Sequence, residues 1–262
     1  MLRFFRDLIE RRELLLILTG RNIKIRYKNS VLGFFWTLLA PLFMIVIYSA
    51  FARIMRWSLG RADFLEFLVV GIVMWQFLMM CLNDSLNAIS GSANLVKKTA
   101  FPRHVLPVST VLANGINFLL TFAVLFVFLI LRRSGFQHLW LLPLVIVSQT
   151  ALCMGLALAI SASHVFFKDT EHALGVGTLA WFFLSPVFYN IEMQMDFLPA
   201  VLQPAVFLNP MSGLLCSYRF ALMAEPFAGA RHVWISFAMA WAVLLAGVAI
   251  FQAAQKRFAD EL

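Results

Sequence analysis

Long uncharged apolar runs are the feature that most constrains this chain. A helix needs about 20 consecutive, mostly apolar residues to cross a bilayer. Six runs approach or meet that length, and they predict spans at about residues 31–52, 64–86, 105–131, 139–163, 173–191 and 233–255. The second span extends a shorter uncharged run, at residues 67–83, into its flanks. Only 13% of the residues are charged, whereas a soluble domain carries about a quarter. These runs predict an all-α integral membrane protein with six transmembrane helices.

A further uncharged run, at residues 197–218, is broken by Pro199, Pro204, Pro210 and Gly213. Proline and glycine interrupt a helix and free backbone groups that lipid cannot satisfy. We therefore predict re-entrant helices at about residues 197–222, between the last two spans. The alternative is a seventh, kinked span, which would place the two termini on opposite sides of the membrane.

The distribution of basic residues predicts the orientation. If the N-terminus is inside, the cytoplasmic segments hold 14 of the 21 Lys and Arg residues and the external segments hold 7. Cytoplasmic loops of inner-membrane proteins carry such an excess. We expect residues 1–30 to be a cytoplasmic segment, residues 31–262 to be the six-span domain, and both termini to be cytoplasmic. The basic residues form no continuous stripe, which argues against nucleic acid as a partner.

Two patterns predict helix packing. Leu2, Phe5, Ile9 and Leu16 recur near helical spacing opposite charged residues, so the N-terminal segment reads as an amphipathic interface helix along the cytoplasmic face. Small residues recur every four positions in the fourth and sixth spans, a pattern that lets helix backbones approach closely in lipid. They are Ala151, Gly155, Ala159 and Ser163, and then Ala238, Ala242 and Ala246. These contacts lie either within one chain or between two.

The chemistry of an enzyme or an ion-coupled transporter is not evident. Such transporters place Asp, Glu, His or Lys inside the membrane, but Glu66 and Asp84 fall near span ends, where we interpret them as hydrated interfacial residues. No HExxH motif and no GxxxxGK[ST] phosphate loop is present. Three cysteines in apolar surroundings are interpreted as packing residues. We expect no catalytic residues, no metal and no cofactor bound by this chain.

Aromatic residues make up 15% of the chain and cluster at residues 34–36, 181–183 and 187–189. Many aromatics in such a protein form the interfacial belt. Aromatic faces also stack on sugar rings, so a second interpretation is a channel lining for glycans. The candidate lining residues are Phe34, Phe35, Trp36, Trp181, Phe182, Phe188 and Tyr189.

Five motifs resemble those of one family. They are RNIKIRYKNSVLGFFWTLLAP (21–41), KKTAFPRHVLP (97–107), HVFFKDTEHALG (164–175), SPVFY (185–189) and LNPMSGLLCSYRFAL (208–222). Their order and spacing over nearly the whole chain resemble the permease subunit of type-2 ABC exporters of polysaccharide. That class moves lipid-linked O-antigen, capsule or teichoic-acid chains.

The resemblance implies a homodimer with two separate ATPase subunits, which would bind the ATP and magnesium. A channel along the dimer interface would export a polysaccharide, most simply O-antigen, carried on undecaprenyl diphosphate. One alternative is a type-2 exporter of a drug, a lipid or a capsule polymer. The other is a membrane enzyme or scaffold that acts on lipid-linked intermediates.

The resemblance also implies roles for individual residues. Residues that would meet the carrier diphosphate at a cytoplasmic gate are Arg21, Lys24, Arg26 and Lys28. Residues that would couple to the ATPase are Lys97, Lys98, Phe101, Pro102, Arg103, Phe166, Phe167, Lys168 and Asp169. On composition alone, the favoured interpretation of these two loops is an ordinary positive-inside loop. Residues that would close the external mouth are Pro186, Asn209, Pro210 and Arg219.

Overall fold

Regular structure in the described part of the chain is entirely helical. The computed structural model describes residues 2–28, 32, 35–55, 63–93, 95, 102–223, 225 and 231–261. The helices are α1 (Leu2–Glu10), α2 (Arg12–Tyr27), α3 (Trp36–Met55), α4 (Phe64–Leu86), α5 (Val105–Leu131), α6 (Leu142–Phe166), α7 (Thr170–Leu184), α8 (Ile191–Asp196), α9 (Pro210–Met223), α10 (Val233–Ala254) and α11 (Phe258–Glu261). Short 3₁₀ turns lie at Ser90–Ser92, Leu139–Leu141, Gln203–Leu208 and Gln255–Arg257.

Four of the described helices are long and apolar enough to cross a membrane. They are α4, α5, α6 with its preceding 3₁₀ turn, and α10 with its following turn. Helix α4 is the most buried of the four and packs against α3, α5, α6 and α9. The all-helical membrane fold is thus confirmed in its coarse form, whereas the count of six spans stays a prediction.

The fifth predicted span differs most from the observed helix. It was expected at about 173–191, but α7 covers Thr170–Leu184 and has 15 residues. Pro186 follows at once, and the residue before a proline is disfavoured in helical geometry, so the helix stops before Ser185. Residues up to Asn190 form an irregular turn, which α8 follows. The expected re-entrant region at about residues 197–222 contains a 3₁₀ turn and most of α9.

Helix α5 ends where its own sequence provides a cap. Arg133 has a φ of 57°, a left-handed conformation that closes a helix. The Ser134 N–H donates to the Leu129 carbonyl at 3.1 Å, and the Arg133 N–H donates to the Ile130 carbonyl at 3.0 Å. This pair of bonds is a Schellman motif, and it turns the chain toward α6.

Helices α6 and α10 approach to backbone contact through Gly155 and Gly247. A Cβ atom at Gly155 would lie 2.6 Å from the Leu244 Cα atom, and one at Gly247 would lie 2.8 Å from the Gly155 Cα atom. Backbone contact of this kind is what small residues permit in lipid. The predicted stripe in the fourth span therefore packs within the chain at its central glycine.

The predicted stripe of alanines on α10 does not lie on the buried face of that helix. Ala238, Ala242 and Ala246 are exposed in the described structure. The buried face of α10 instead carries Leu244, Gly247, Val248 and Phe251 among others. The three alanines therefore make no packing contact of the expected kind within the described part of the chain.

The N-terminal segment is two helices and not one, because the regular geometry is interrupted at Arg11. Phe4 of α1 is buried, with its ring 4.8 Å from the ring of His104. Burial lowers the pKa of that imidazole, while the nearby Asp7 carboxylate opposes the shift. Ile9 and Leu16, which were expected on the apolar face of the interface segment, are exposed. The segment is therefore docked on the helix bundle through Phe4 and Leu18.

Candidate functional site

A row of polar side chains runs along one face of α5 and contacts α2. The Asn22 amide donates to Ser109 Oγ at 3.2 Å and to Thr110 Oγ1 at 3.4 Å. Five residues further along α2, the Tyr27 hydroxyl donates to Asn117 Oδ1 at 3.1 Å. Helix α2 therefore lies along α5 through hydrogen bonds and not only through apolar packing. We call this contact, with Arg26, Asp84 and Asn114, the polar seam.

Arg26 is the centre of the polar seam. Its guanidinium forms an ion pair with Asp84 of α4 and donates to Asn114 Oδ1 of α5. The Asn114 amide donates in turn to Asp84 Oδ2 at 2.9 Å and to the Met80 carbonyl at 3.2 Å. The Arg26 side chain is 26% exposed and that of Asp84 is 41% exposed. The partly buried pair of Arg26 and Asp84 thus joins α2 to α4, and Asn114 joins α5 to both.

Two cavities meet at Arg26. One has a volume of about 440 Å³ and polar walls that include Arg21, Asn83 and Asp84. The other, of about 450 Å³, lies between α3, α4 and α5 and is mostly apolar. We call them the polar cavity and the amphipathic cavity. Arg26 borders both, so the charge pair lies where the polar space ends and the apolar space begins.

The four predicted diphosphate residues are divided between these surroundings. Lys24 and Lys28 are exposed, and both border an open groove along α2. Arg21 is half-buried, donates to Asn22 Oδ1 at 3.4 Å and borders the polar cavity. Arg26 is paired with Asp84. Arg21 and Arg26 therefore border the same cavity, and Arg21 also borders the groove that Lys24 and Lys28 line.

The predicted aromatic lining forms two separate groups. Trp36 borders the amphipathic cavity, and Phe35 is 68% exposed nearby in the sequence. Trp181 and Phe182 pack on Trp75 of α4, with ring centroids 5.8 and 5.4 Å apart. Phe34 lies outside the described residues.

The second aromatic group continues beyond α7. The rings of Phe182 and Phe188 are 5.8 Å apart, and those of Phe188 and Tyr189 are 5.2 Å apart. The Tyr189 hydroxyl donates to the Phe183 carbonyl at 3.0 Å. The predicted residues of this group therefore stack on one another along the turn that follows α7.

Asn209 fastens the end of α7 to the start of α9. Its amide donates to Ser185 Oγ at 2.9 Å and to the Leu184 carbonyl at 3.2 Å. Its Oδ1 atom accepts from the Trp181 indole at 2.8 Å and from the Met211 N–H at 3.1 Å. Asn209 is therefore the N-cap of α9, with Pro210 at the first helical position, where its missing N–H costs nothing.

Arg219 of α9 is buried to 3% exposure and binds the turn after α7. It donates to the Pro186 carbonyl at 2.7 Å, to the Val187 carbonyl at 2.6 Å and to the Phe67 carbonyl at 3.3 Å. Its guanidinium carbon also lies 3.3 Å from the centre of the Phe67 ring. Together, Arg219 and Asn209 hold the four predicted external-gate residues as one unit.

The predicted ATPase-contact residues are only partly described, since Lys97, Lys98 and Phe101 lie outside the described residues. Pro102 is half-buried, and Arg103 donates to the Gln255 carbonyl at the end of α10. In the second loop, Phe166 packs on Phe258 at 5.9 Å. Phe167 is 69% exposed, and the neighbouring Lys168 and Asp169 are also exposed.

The prediction for Glu66 as a hydrated interfacial residue was wrong. Glu66 is 4% exposed and forms an ion pair with Arg132, because the start of α4 lies beside the end of the antiparallel α5. The three cysteines are buried and unbridged, as a packing role requires. Among the described residues, no group of three His, Cys, Asp or Glu side chains has the arrangement of a metal site.

The polar seam was not predicted from the sequence. The predictions for the spans rested on titratable groups, whereas the seam on α5 is built from amides and hydroxyls. Thr110, Asn114, Asn117 and Thr121 are separated by four, three and four residues. That spacing places them on one helix face and was the available signal. The pairing of Arg26 with Asp84, which are 58 residues apart, carried no local signal.

Comparison with known proteins gives a consistent result. Residues 13–223 match the family described as ABC-2 type transporter. An O-antigen export system permease protein RfbA from Klebsiella pneumoniae is 29% identical over 253 residues, which is 95% of each chain. A protein of the same name from Myxococcus xanthus is 32% identical over 267 aligned positions, which cover 100% of each chain.

Proposed function

The chain belongs to the ABC-2 type transporter family, and from that premise we propose that it is the permease that exports undecaprenyl-diphosphate-linked O-antigen across the inner membrane. The full-length similarity to O-antigen export permeases carries this proposal. Permeases of this family work in the membrane with ATPase subunits. The energy for export therefore comes from ATP hydrolysis on a partner.

The proposed topology has six spans, α3 to α7 and α10, with both termini in the cytoplasm. Four of these helices have the required length and apolarity, and α3 has 20 residues. Helix α7 is about 22 Å long, which is short of a hydrocarbon core of about 30 Å. We propose that the turn at residues 185–190, held by Arg219, completes this crossing.

We propose that the chain works as a homodimer with two ATPase subunits. Helix α7 supports a second copy because, of its 15 residues, only Thr178 is buried. Val176 is 73% exposed and Leu179 is 61% exposed. Phe167, Lys168 and Asp169 project from the end of the neighbouring helix α6 and are the described residues that we assign to the ATPase contact.

The proposed substrate path begins at the cations of α2 and ends at the unit built by Asn209 and Arg219. Lys24 and Lys28 are exposed, so they are available to attract a diphosphate. The partly exposed aromatics, Phe35 and Trp36 among them, would then offer flat faces to sugar rings. An uncharged aromatic wall tolerates many glycans, which suits a permease that moves a long polymer.

The test of this proposal is deletion of the gene in its native host. We expect surface O-antigen to be lost and undecaprenyl-diphosphate-linked glycan to accumulate in the inner membrane, both measured by electrophoresis of extracted glycolipids. A plasmid copy should restore export. The matched control is a strain whose ATPase partner carries a catalytically inactive substitution, and it should show the same accumulation. Normal surface O-antigen in the deletion strain would contradict the proposal.

A further inference from the structure

The end of α10 joins two segments that are far apart in the sequence, residues 102–103 and residues 166–169. The Gln255 carbonyl, in the turn that follows α10, accepts from two donors. One is the Arg103 guanidinium, and the other is the Phe258 N–H at the start of α11. The last carbonyls of a helix have no partner within it, and a cation is favourable there. One carbonyl therefore connects Arg103 to α11.

Phe258 continues this connection to the end of α6. Its side chain is 0% exposed, and its ring lies 5.4 Å from that of Phe251 and 5.9 Å from that of Phe166. Phe166 is the last residue of α6, and its ring is 6.4 Å from that of Phe167. Phe167 itself is 69% exposed. A row of ring contacts therefore leads from the buried Phe258 to the exposed surface at residues 167–169.

Arg103 is held on its other side by the start of α5. The Leu106 N–H donates to the Arg103 carbonyl at 3.2 Å. The next residue, His104, is 4% exposed and packs on Phe4 of α1 at 4.8 Å between ring centroids. The backbone of Arg103 is thus part of a packed turn. Its bond to Gln255 therefore fixes the start of α5 relative to the end of α10.

A fixed relation between two segments matters when both contact one partner. The second contact is then intramolecular, and its contribution depends on how well the geometry of the two segments is maintained. Segments that are ordered before binding also lose less conformational entropy when the partner arrives. Buried residues that join such segments therefore raise the affinity for the partner without touching it.

From these contacts we propose that Arg103 and Phe258 are positioning residues, which hold the two segments as one docking surface for the ATPase. Arg103 acts through the Gln255 carbonyl, and Phe258 acts through Phe166 on the exposed residues 167–169. The inference rests on the proposed function, which supplies the ATPase. It gives an internal role to Arg103, for which the family resemblance implied direct contact with the ATPase.

The first test measures the Kd between the ATPase that copurifies with the chain and the chain in nanodiscs. Phe258→Ala is expected to weaken binding about fivefold or more, because the two segments are no longer held together. Phe237→Ala is the matched control, since Phe237 of α10 is also buried but belongs to the other large apolar cluster. It should change the Kd less than twofold. Equal weakening in both variants would show a general effect of lost packing and overturn the proposal.

A double-mutant cycle asks whether Phe258 acts through the exposed segment. Phe167→Ala alone is expected to weaken binding of the ATPase severalfold. Adding Phe258→Ala to it should change the Kd less than twofold, because residues that act through one another are not additive. A further loss as large as that of Phe258→Ala in the wild-type background would overturn the positioning role of Phe258.

Arg103 keeps the test decisive if Phe258→Ala misfolds, because its side chain is only half-buried. Arg103→Met removes the donor to Gln255 and is expected to weaken binding of the ATPase severalfold. Arg103→Lys retains a cationic donor and should bind within about twofold of wild type. An equal loss in both variants would mean that the guanidinium contacts the ATPase directly, and the positioning role of Arg103 would be wrong.

The same measurements separate this inference from the proposed function. A deletion strain with normal surface O-antigen would contradict the proposed function and leave the comparison of ATPase binding standing. A wild-type chain that binds no ATPase would overturn both. Wild-type binding that is unchanged in Phe258→Ala and in Arg103→Met would remove this inference alone.

Discussion

Gly247→Leu is expected to prevent the chain from accumulating as folded protein. A Cβ atom at this position would lie within 3.0 Å of the Gly155 carbonyl, a separation that real Cβ atoms do not show. The obstacle is backbone on the facing helix, so no side-chain rotation relieves it. Because α6 and α10 form the largest helix contact of the bundle, separating them exposes much of its core.

The expected cost exceeds about 3 kcal/mol, the upper end of ordinary overpacking, since whole helices must shift. The measurement is fluorescence-detected gel filtration of a tagged protein extracted in mild detergent. Gly115→Leu is the matched control, because a Cβ atom at Gly115 of α5 meets nothing within 4 Å. A Gly247→Leu protein that elutes and melts like wild type would show that the α6–α10 contact is looser than described.

Arg219→Met is expected to detach the turn at residues 185–190 from α4. The substitution keeps a long apolar stem and leaves the Pro186, Val187 and Phe67 carbonyls without their donor. A buried carbonyl left without its donor costs about 1–3 kcal/mol, and three carbonyls lose theirs. We expect a loss of that size in the free energy of unfolding.

Hydrogen exchange distinguishes this local detachment from general unfolding. Amides of residues 185–196 should lose protection in Arg219→Met, while those of α6 and α10 keep theirs. Arg231→Met is the matched control, since Arg231 is exposed and should behave as wild type. Unchanged protection of residues 185–196 in Arg219→Met would mean that Asn209 is sufficient to hold the turn that follows α7.

The membrane-capable helices could be predicted from the sequence because a single local quantity, the length of an apolar run, determines them. The second and third predicted spans coincide with α4 and α5. The ends of the helices were harder to predict, since they depend on single helix-breaking residues. Pro186 ended α7 seven residues before the expected end at residue 191.

The contacts between helices could not be predicted, because sequence period does not say which face meets which neighbour. On α10, Ala238, Ala242 and Ala246 follow the expected spacing and are exposed, while Gly247 makes the close approach. The polar seam could not be predicted for the same reason. Arg26 was predicted to meet a diphosphate, and nothing local to α2 indicated that Asp84 of α4 would pair with it.

Purification of the tagged chain from its native membrane tests directly whether it is the permease of an ATP-driven exporter. We expect an ATPase with Walker motifs to elute with the chain in stoichiometric amount, and its ATP turnover to change when this chain is removed. An intact, folded chain that elutes without an ATPase, or an ATPase whose turnover does not depend on the chain, would show that it does not work in this way.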